Sequence, residues 1–290
     1  MSEYAEQFSI GVVERDTGIG RDTLRVWERR YGFPEPLRND KGERIYSEQQ
    51  LRRLQRIRRL LDQGLRPGKL LALSEPELNR LESELYAEQH TPYSGTVARL
   101  LEAIRQADIQ QLTDLFEQQY QQQGLQDFVS KTVAPLVTAT GEAWARGQLQ
   151  IFQEHILSEQ LRRFLKSRIN EQVTRKPARI VLATLPGEPH TLGLLMVEAM
   201  LASQGIAAIN LGGEIPMDQI KGAVEQFQAN VLGITFSGSY PYKHIRPHLN
   251  ELRDLIAADV AIWTGGEGVS RLRKLPAGVM KIKTLDKLPL

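Results

Sequence analysis

The 290-residue sequence contains no cysteine. That absence removes disulfides, thiolate metal sites and cysteine nucleophiles together. No stretch approaches the run of about 18 apolar residues that a membrane helix needs. The opening MSEYAEQFS lacks a basic stretch followed by an apolar one, so no signal peptide is expected. Internal repeats are missing, and low complexity is confined to the glutamine-rich segment 118–123. These absences predict a cytoplasmic protein with no membrane partner. What remains is an ordinary balance, 41% hydrophobic and 25% charged, with material for a core and length for two or three domains.

The net charge of +2 hides an uneven distribution. Residues 1–70 hold 15 basic and 11 acidic side chains, residues 71–130 hold 3 and 10, and the remainder holds 19 and 14. A basic N-terminal part beside an acidic segment predicts that only the first part meets a polyanion.

Helical signals open the chain. Phe8 to Val13 has helical apolar spacing with Ser9 as N-cap, Thr17 to Gly20 reads as a tight turn, and a second helix runs from Arg21 to about Tyr31. Gly32-Phe33-Pro34 stops it. Two short helices around a glycine-containing turn make a helix-turn-helix. Asn39-Asp40-Lys41-Gly42 is a hairpin turn that predicts a β-wing over Leu37 to Tyr46. Ser47 then caps a third helix carrying Arg52, Arg53, Arg56, Arg58 and Arg59 beside a stripe of Leu51, Leu54, Ile57, Leu60 and Leu61. Arg66-Pro67-Gly68 ends this module, Ser74-Glu75-Pro76 caps one more short helix, and Gln89 to Gly95 reads as a linker. From Thr96 to about Val173 the periodicity is helical, with breaks near Asp108, Gly124 and Gly147, as in a four-helix bundle. After Lys176-Pro177 the pattern becomes β/α. Strands are expected at Ala178–Thr184, Ala207–Leu211, Val231–Phe236 and Val260–Trp263, with helices between them, in a doubly wound sheet. The fold class is multidomain. An all-α winged helix-turn-helix covers 1–75, a connection 76–95, the bundle 96–175 and the α/β domain 176–290.

Within the first module, Arg21, Thr23 and Arg25 fall near the start of the second helix, within reach of base edges and phosphates, and Arg29 follows one turn later. Arg38 and Arg44 flank the wing, with Tyr46 at its base. Leu24, Trp27 and Tyr31 suit core positions. Residues 8–70, with Leu24-Arg25-x-x-Glu28 and Arg44-Ile45-Tyr46, resemble the MerR-family DNA-binding domain. The string from Trp27 to Gly32 is similar to the light-responsive CarH/LitR branch. This resemblance implies double-stranded operator DNA as partner, DNA contacts from Arg21, Thr23, Arg25, Arg29, Arg38, Arg44 and Tyr46, and a homo-oligomer (dimer or tetramer) on a palindromic site.

In the α/β domain, the loop after the first strand reads Glu188-Pro189-His190-Thr191-Leu192-Gly193, at the carboxyl end of the sheet where ligands sit. A histidine with a carboxylate two residues away suits a metal ligand and its orienting partner, and equally a surface hydrogen bond. The wider pattern resembles the cobalamin signature Asp-x-His-x-x-Gly, Ser-x-Leu and Gly-Gly. Glu188 stands at the Asp position, Thr235-Phe236-Ser237 at Ser-x-Leu and Gly265-Gly266 at Gly-Gly, with 41 residues between Gly193 and Thr235 and 27 between Ser237 and Gly265. The resemblance implies His190 as the lower ligand of cobalt. It also implies a nucleotide tail beside Gly193, Gly265 and Gly266 that hydrogen-bonds to Thr235, with Ser237 making its pocket more polar. Trp144, nine residues, then Glu154-His155 is similar to the Trp-x9-Glu-His pattern of the CarH/LitR cap. Alone, these residues suit a core tryptophan and a surface pair. In the family they imply contacts to the upper axial group, adenosylcobalamin being the cofactor expected. Relatives carry a second histidine after the tryptophan, where this chain has Ala145.

His90, His244 and His248 receive no role. The i, i+4 pair His244/His248 lacks a third ligand and reads as solvated. The function expected is a non-enzymatic, cobalamin-dependent and light-responsive regulator acting as a repressor. The rivals are a corrinoid methyl carrier, which needs no helix-turn-helix, and a regulator sensing a bilin, a heme or a protein partner.

Overall fold

The computed structural model describes residues 7–289 apart from 63–64, 88–92, 94, 146–147, 173–178, 271 and 273. It divides into two compact units, Met1–Pro92 and Tyr93–Leu290. His90, Gly147, the Lys176–Ala178 change of pattern and most of the linker expected at Gln89–Gly95 lie outside the described residues. No described helix is long and apolar enough to cross a membrane.

The first unit runs β1 (Gln7–Ser9), α1 (Ile10–Thr17), α2 (Arg21–Tyr31), β2 (Leu37–Arg38), β3 (Arg44–Ser47), α3 (Glu48–Asp62), α4 (Pro67–Leu71) and α5 (Glu75–Ala87). Ser9 caps α1 by accepting the Val12 N–H at 3.4 Å. Gly18 and Gly32 end α1 and α2 at φ of +65° and +70°, the left-handed region that a side chain strains to reach. Val13, Leu24, Trp27, Leu51, Leu54, Ile57 and Leu60 form one buried cluster, so the apolar stripes of three helices close on each other. The wing turn is tied by Asn39, whose Oδ1 accepts from the backbone N–H of Lys41 and Glu43 at 3.1 and 2.9 Å. Two expectations change. Phe8 belongs to a strand, and the sheet has three strands in the order β1-β3-β2; three residues are too few to show alternation. The short helix expected after Ser74-Glu75-Pro76 is α5; 76–87 belongs to the first unit and not to a connection, because this helix buries Leu78 in the same core. Its Glu75 also pairs with Arg53 and Arg56 at 3.5 and 2.6 Å.

The second unit starts with α6 (Thr96–Arg105), α7 (Ile109–Asp127), a π-helical stretch (Phe128–Val133), α8 (Ala134–Ala145) and α9 (Ile151–Gln172). Asp108 caps α7 by accepting the Gln111 N–H at 2.9 Å, and Gly124, at φ +71°, kinks it where a break was expected. Then come β4 (Ile180–Ala183), α10 (Leu192–Ala202), β5 (Ile209–Asn210), α11 (Met217–Gln226), β6 (Val231–Thr235), α12 (Tyr242–Leu255), β7 (Ala261–Gly265), α13 (Glu267–Ser270) and β8 (Val279–Lys281). The five strands are parallel in the order β5-β4-β6-β7-β8. β8, three residues at the sheet edge, was not expected. Every residue of β4 is buried, as a strand covered on both faces requires.

Helix α10 joins the two parts of this unit. Leu195, Ala199 and Met200 enter the core of the helical bundle, while Leu194 and Leu201 pack with Ile180, Leu182 and Trp263 of the sheet. A helix apolar all round is one buried on all sides. Polar ties reinforce it. Arg162 of α9 donates to the Thr191 hydroxyl at 3.0 Å, and Lys166 reaches both oxygens of Glu198 at 2.7 and 2.8 Å. The chain crosses from β4 outward to β5 and returns to β6. The switch point of the sheet therefore lies between β4 and β6, with the carboxyl-end loops of both beside it.

Candidate functional site

The loops after β4 and β6 meet through Glu188. This carboxylate is fully buried and accepts three hydrogen bonds. Its Oε1 lies 2.7 Å from His190 Nδ1 and 3.0 Å from the His190 backbone N, and its Oε2 takes the Ser237 N–H at 2.7 Å. Burial favours the neutral acid, but the bonds from His190 and Ser237 outweigh it and hold the carboxyl below its usual range. The hydrogen bond that His190 donates to Glu188 in turn raises His190, against burial, with Glu154 adding a smaller push. An acceptor-only carboxylate keeps the proton on Nδ1. Nε2 is then the ring's remaining position on a side chain that is 57% exposed. This is the orientation a histidine ligand requires. The loop is pinned from below: the buried Thr184 hydroxyl donates to the Glu188 carbonyl at 2.5 Å and accepts the Glu214 N–H at 2.9 Å.

The other sequence-selected positions divide. Thr235 ends β6, and its Oγ1 is buried without a hydrogen-bond partner. It faces Gly193, where an added Cβ would lie 3.6 Å from that oxygen. Ser237, expected in the same pocket as Thr235, instead serves the histidine side, with its Oγ 3.2 Å from His190 Nδ1. Gly265 ends β7. Gly266 has a reason of its own: at φ +93°, a Cβ there would fall 2.2 Å from the Phe236 carbonyl oxygen. Trp144 sits half-buried against the bundle core at the end of α8. Glu154 and His155 share the first turn of α9, 3.4 Å apart, and Ser158 donates to Glu154 at 2.6 Å. Glu154 is thus the cap residue whose charge reaches His190. Thr184, Thr191 and Tyr240 were not singled out in the sequence. Only a strand-end position marked Thr184, and nothing marked Tyr240.

The arginines of the first unit also divide. Arg25 and Arg29 lie exposed on α2, with Arg25 in a loose 3.3 Å pair with Asp22, and Thr23 is exposed beside them. Arg38 is exposed on the wing and donates to the Gly42 carbonyl at 2.7 Å. Arg21, by contrast, is tied to Glu14 at 2.7 Å. Arg44 makes two bonds to Glu28, at 2.8 and 3.4 Å, and joins the wing to α2. Tyr46 is 1% exposed and belongs to the core. On α3, Arg53 donates to the Leu73 carbonyl at 2.6 Å and lies 4.5 Å from the Phe33 ring centroid, so that side chain is not simply solvated. Val26 is 41% exposed between Arg25 and Arg29.

Among the described residues no group of three potential metal-ligating side chains occurs. His244 and His248 stack with ring centroids 5.7 Å apart.

Comparison with known proteins matches residues 8–70 to the MerR HTH family regulatory proteins. Residues 96–167 and 178–279 match two families, each described as a B12 binding domain. The chain is 26% identical over 264 residues to the HTH-type transcriptional repressor CarH of Myxococcus xanthus, covering 89% of this chain and 88% of that one. It is 28% identical over 238 residues to the repressor CarA of the same organism, covering 78% and 75%. Among solved structures, a Methanosarcina barkeri monomethylamine corrinoid protein aligns with a TM-score of 0.48 and 16% identity, over 64% of this chain and 91% of that one.

Proposed function

From a chain that joins a MerR-family helix-turn-helix to B12 binding domains, we propose a transcription regulator whose hold on operator DNA is set by cobalamin. The observation that carries this reading is the histidine loop: His190 is oriented through Nδ1 by a buried carboxylate and leaves Nε2 for a metal. A second observation fits the same cofactor. The unpartnered Thr235 hydroxyl beside the bare Cα of Gly193 offers a hydrogen bond and space to a polar tail. These fits support the first roles proposed; the cap and DNA roles rest on the motif resemblance and, for the DNA, on exposure. His190 is the lower ligand, Glu188 its orienting partner and Thr235 the tail contact. Trp144, Glu154 and His155 cover the upper axial group. Arg25, Arg29, Arg38 and Thr23 meet the DNA.

Adenosylcobalamin is the form we propose, since it would supply a cobalt–carbon bond that light breaks. The residues of this chain can convert that event into movement. Loss of the upper group would remove one packing surface from Trp144 and one hydrogen bond from Glu154, beside the bundle contacts and the Ser158 bond that they keep, and both belong to helices of the bundle. α9 runs from Glu154 to its ties with Thr191 and Glu198, so a change at its first turn biases the seat of the bundle on α10. Repression is the sense favoured by the relatives' names, and a homo-oligomer on a two-fold operator is the assembly proposed.

Reconstitution tests the reading. Chain mixed with adenosylcobalamin in the dark and desalted should keep the cofactor with a nitrogen-bound spectrum, and His190→Ala should lose it or show the nitrogen-free, water-bound spectrum. A colourless wild-type chain, or the same retention and spectrum in His190→Ala, contradicts it.

A further inference from the structure

The His190 loop rests on a buried tyrosine to which neither the sequence motifs nor the proposed function gives a role. Leu185-Pro186-Gly187-Glu188 is a tight turn closed by the Glu188 N–H on the Leu185 carbonyl at 3.0 Å. Proline in second place and glycine at φ +82° in third are the signature of a type II turn. Type I and type II turns differ by a flip of the central peptide, here the one carrying the Pro186 carbonyl. Tyr240 is 4% exposed and holds that peptide. Its hydroxyl lies 3.3 Å from the Pro186 carbonyl oxygen, and its ring carbon would be 3.8 Å from a Cβ on Gly187. The same hydroxyl lies 2.7 Å from His248 Nδ1, and the ring packs on Phe236 at 4.9 Å. Burial, with the Glu188 charge nearby, pushes Tyr240 up to about 12, so its proton stays on at neutral pH. One arrangement serves all three groups. His248 Nδ1–H donates to the phenol oxygen, and the phenol O–H donates to Pro186. In that arrangement His248 presents Nδ1–H to the phenol, and its ring stacks on His244 at 17° between planes.

We propose that Tyr240, backed by His248, is a positioning residue for the histidine ligand: it holds the Pro186–Gly187 peptide in the orientation that delivers Glu188 to His190. The proposal rests on the reading of His190 as the cobalt ligand. Tyr240 lies in the β6–α12 loop, where its N–H donates to the carbonyl of the Ser237 that also grips Glu188. It also gives the His244/His248 pair a purpose other than metal binding.

The experiment uses full-length chain carrying nitrogen-15 histidine, loaded with cob(II)alamin of natural isotopic content and examined by electron paramagnetic resonance. A protein histidine on cobalt splits the lines into doublets, whereas the cofactor's own benzimidazole splits them into triplets. Wild type should give doublets. Tyr240→Phe, which removes only the hydroxyl, should introduce triplets and weaken cobalamin binding about tenfold, as losing an outer partner of a ligand does. His248→Ala should behave like Tyr240→Phe, His248→Gln, which can still donate, should stay near wild type, and the double variant should add little. Unbound cob(II)alamin also gives triplets, so each sample is desalted before freezing and its cobalt-to-protein ratio measured, which confines the spectrum to bound cobalt. Pure doublets from Tyr240→Phe, whatever its melting temperature, overturn the proposal. Triplets from wild type overturn instead the assignment of His190.

Discussion

The loop that carries His190 and the helix ends that carry Trp144, Glu154 and His155 are built in opposite ways. On the loop, Glu188 is buried and every oxygen is engaged, Thr184 is bonded twice, and the turn is held from below by Tyr240. At the helix ends, His155 is 71% exposed and Glu154 35%, and among the described residues Glu154 is held only by near neighbours on its own helix, Ser158 at 2.6 Å and His155 at 3.4 Å. One side is tied across elements; Glu154 on the other is tied only within its helix. The regulator proposed here would use this asymmetry: the anchor would secure the cofactor in every state, while the exposed helix ends would gain or lose contacts with its upper group and so shift a population.

The largest effect should come from breaking the anchor. His190→Ala is expected to weaken cobalamin binding beyond the roughly 10–100-fold that follows from removing an outer partner, measured by titration against absorbance. Glu188→Gln should fall within that 10–100-fold range, because a neutral amide at a buried site no longer fixes the Nδ1 proton or balances the Ser237 N–H. Wild-type affinity in Glu188→Gln would show that orientation of the ring is unimportant.

The same contrast between committed and uncommitted groups divides the DNA module. Arg25→Ala should reduce operator affinity by about 1–3 kcal/mol if it reads a base, with no change in melting temperature. Arg44→Ala removes a half-buried pair with Glu28 that joins the wing to α2. It should lower apo-chain stability by about 1 kcal/mol as well as weakening DNA binding. Equal melting temperatures for the two variants would contradict this division. The smallest effect is expected at the cap: Glu154→Gln should cost roughly fivefold, about one net hydrogen bond, in affinity for adenosylcobalamin, and nothing for hydroxocobalamin. Equal losses for both forms would remove Glu154 from the upper side.

How much of this was legible in the sequence follows the range of the interactions. The order helix-turn-helix, bundle, parallel sheet was readable because period and punctuation are local, and so were the Ser9 cap, the Asn39 turn and the kink at Gly124. Short edge elements, β1 and β8, carry too few residues to show a period. The contact between Glu188 and His190 was readable from their spacing of two residues. Why Glu can stand there was not: both its oxygens are used only because the β6 loop brings the Ser237 N–H within 2.7 Å. Likewise a sequence shows which residues are arginines but not which acid each will meet. Glu14 and Glu28 lie on other elements, and they claim Arg21 and Arg44. Gly266 matched a motif for one reason and is required by the Phe236 backbone for another.

Fluorescence anisotropy of an operator duplex, selected by this chain from random DNA, tests the central claim most directly. The chain would be titrated without cofactor, with adenosylcobalamin in the dark, and after green light, beside His190→Ala. The account predicts tight binding only for the dark, loaded wild type, loss of that binding on illumination, and no response to cofactor or light in His190→Ala. Operator affinity that is the same in all three states of the wild type would contradict it.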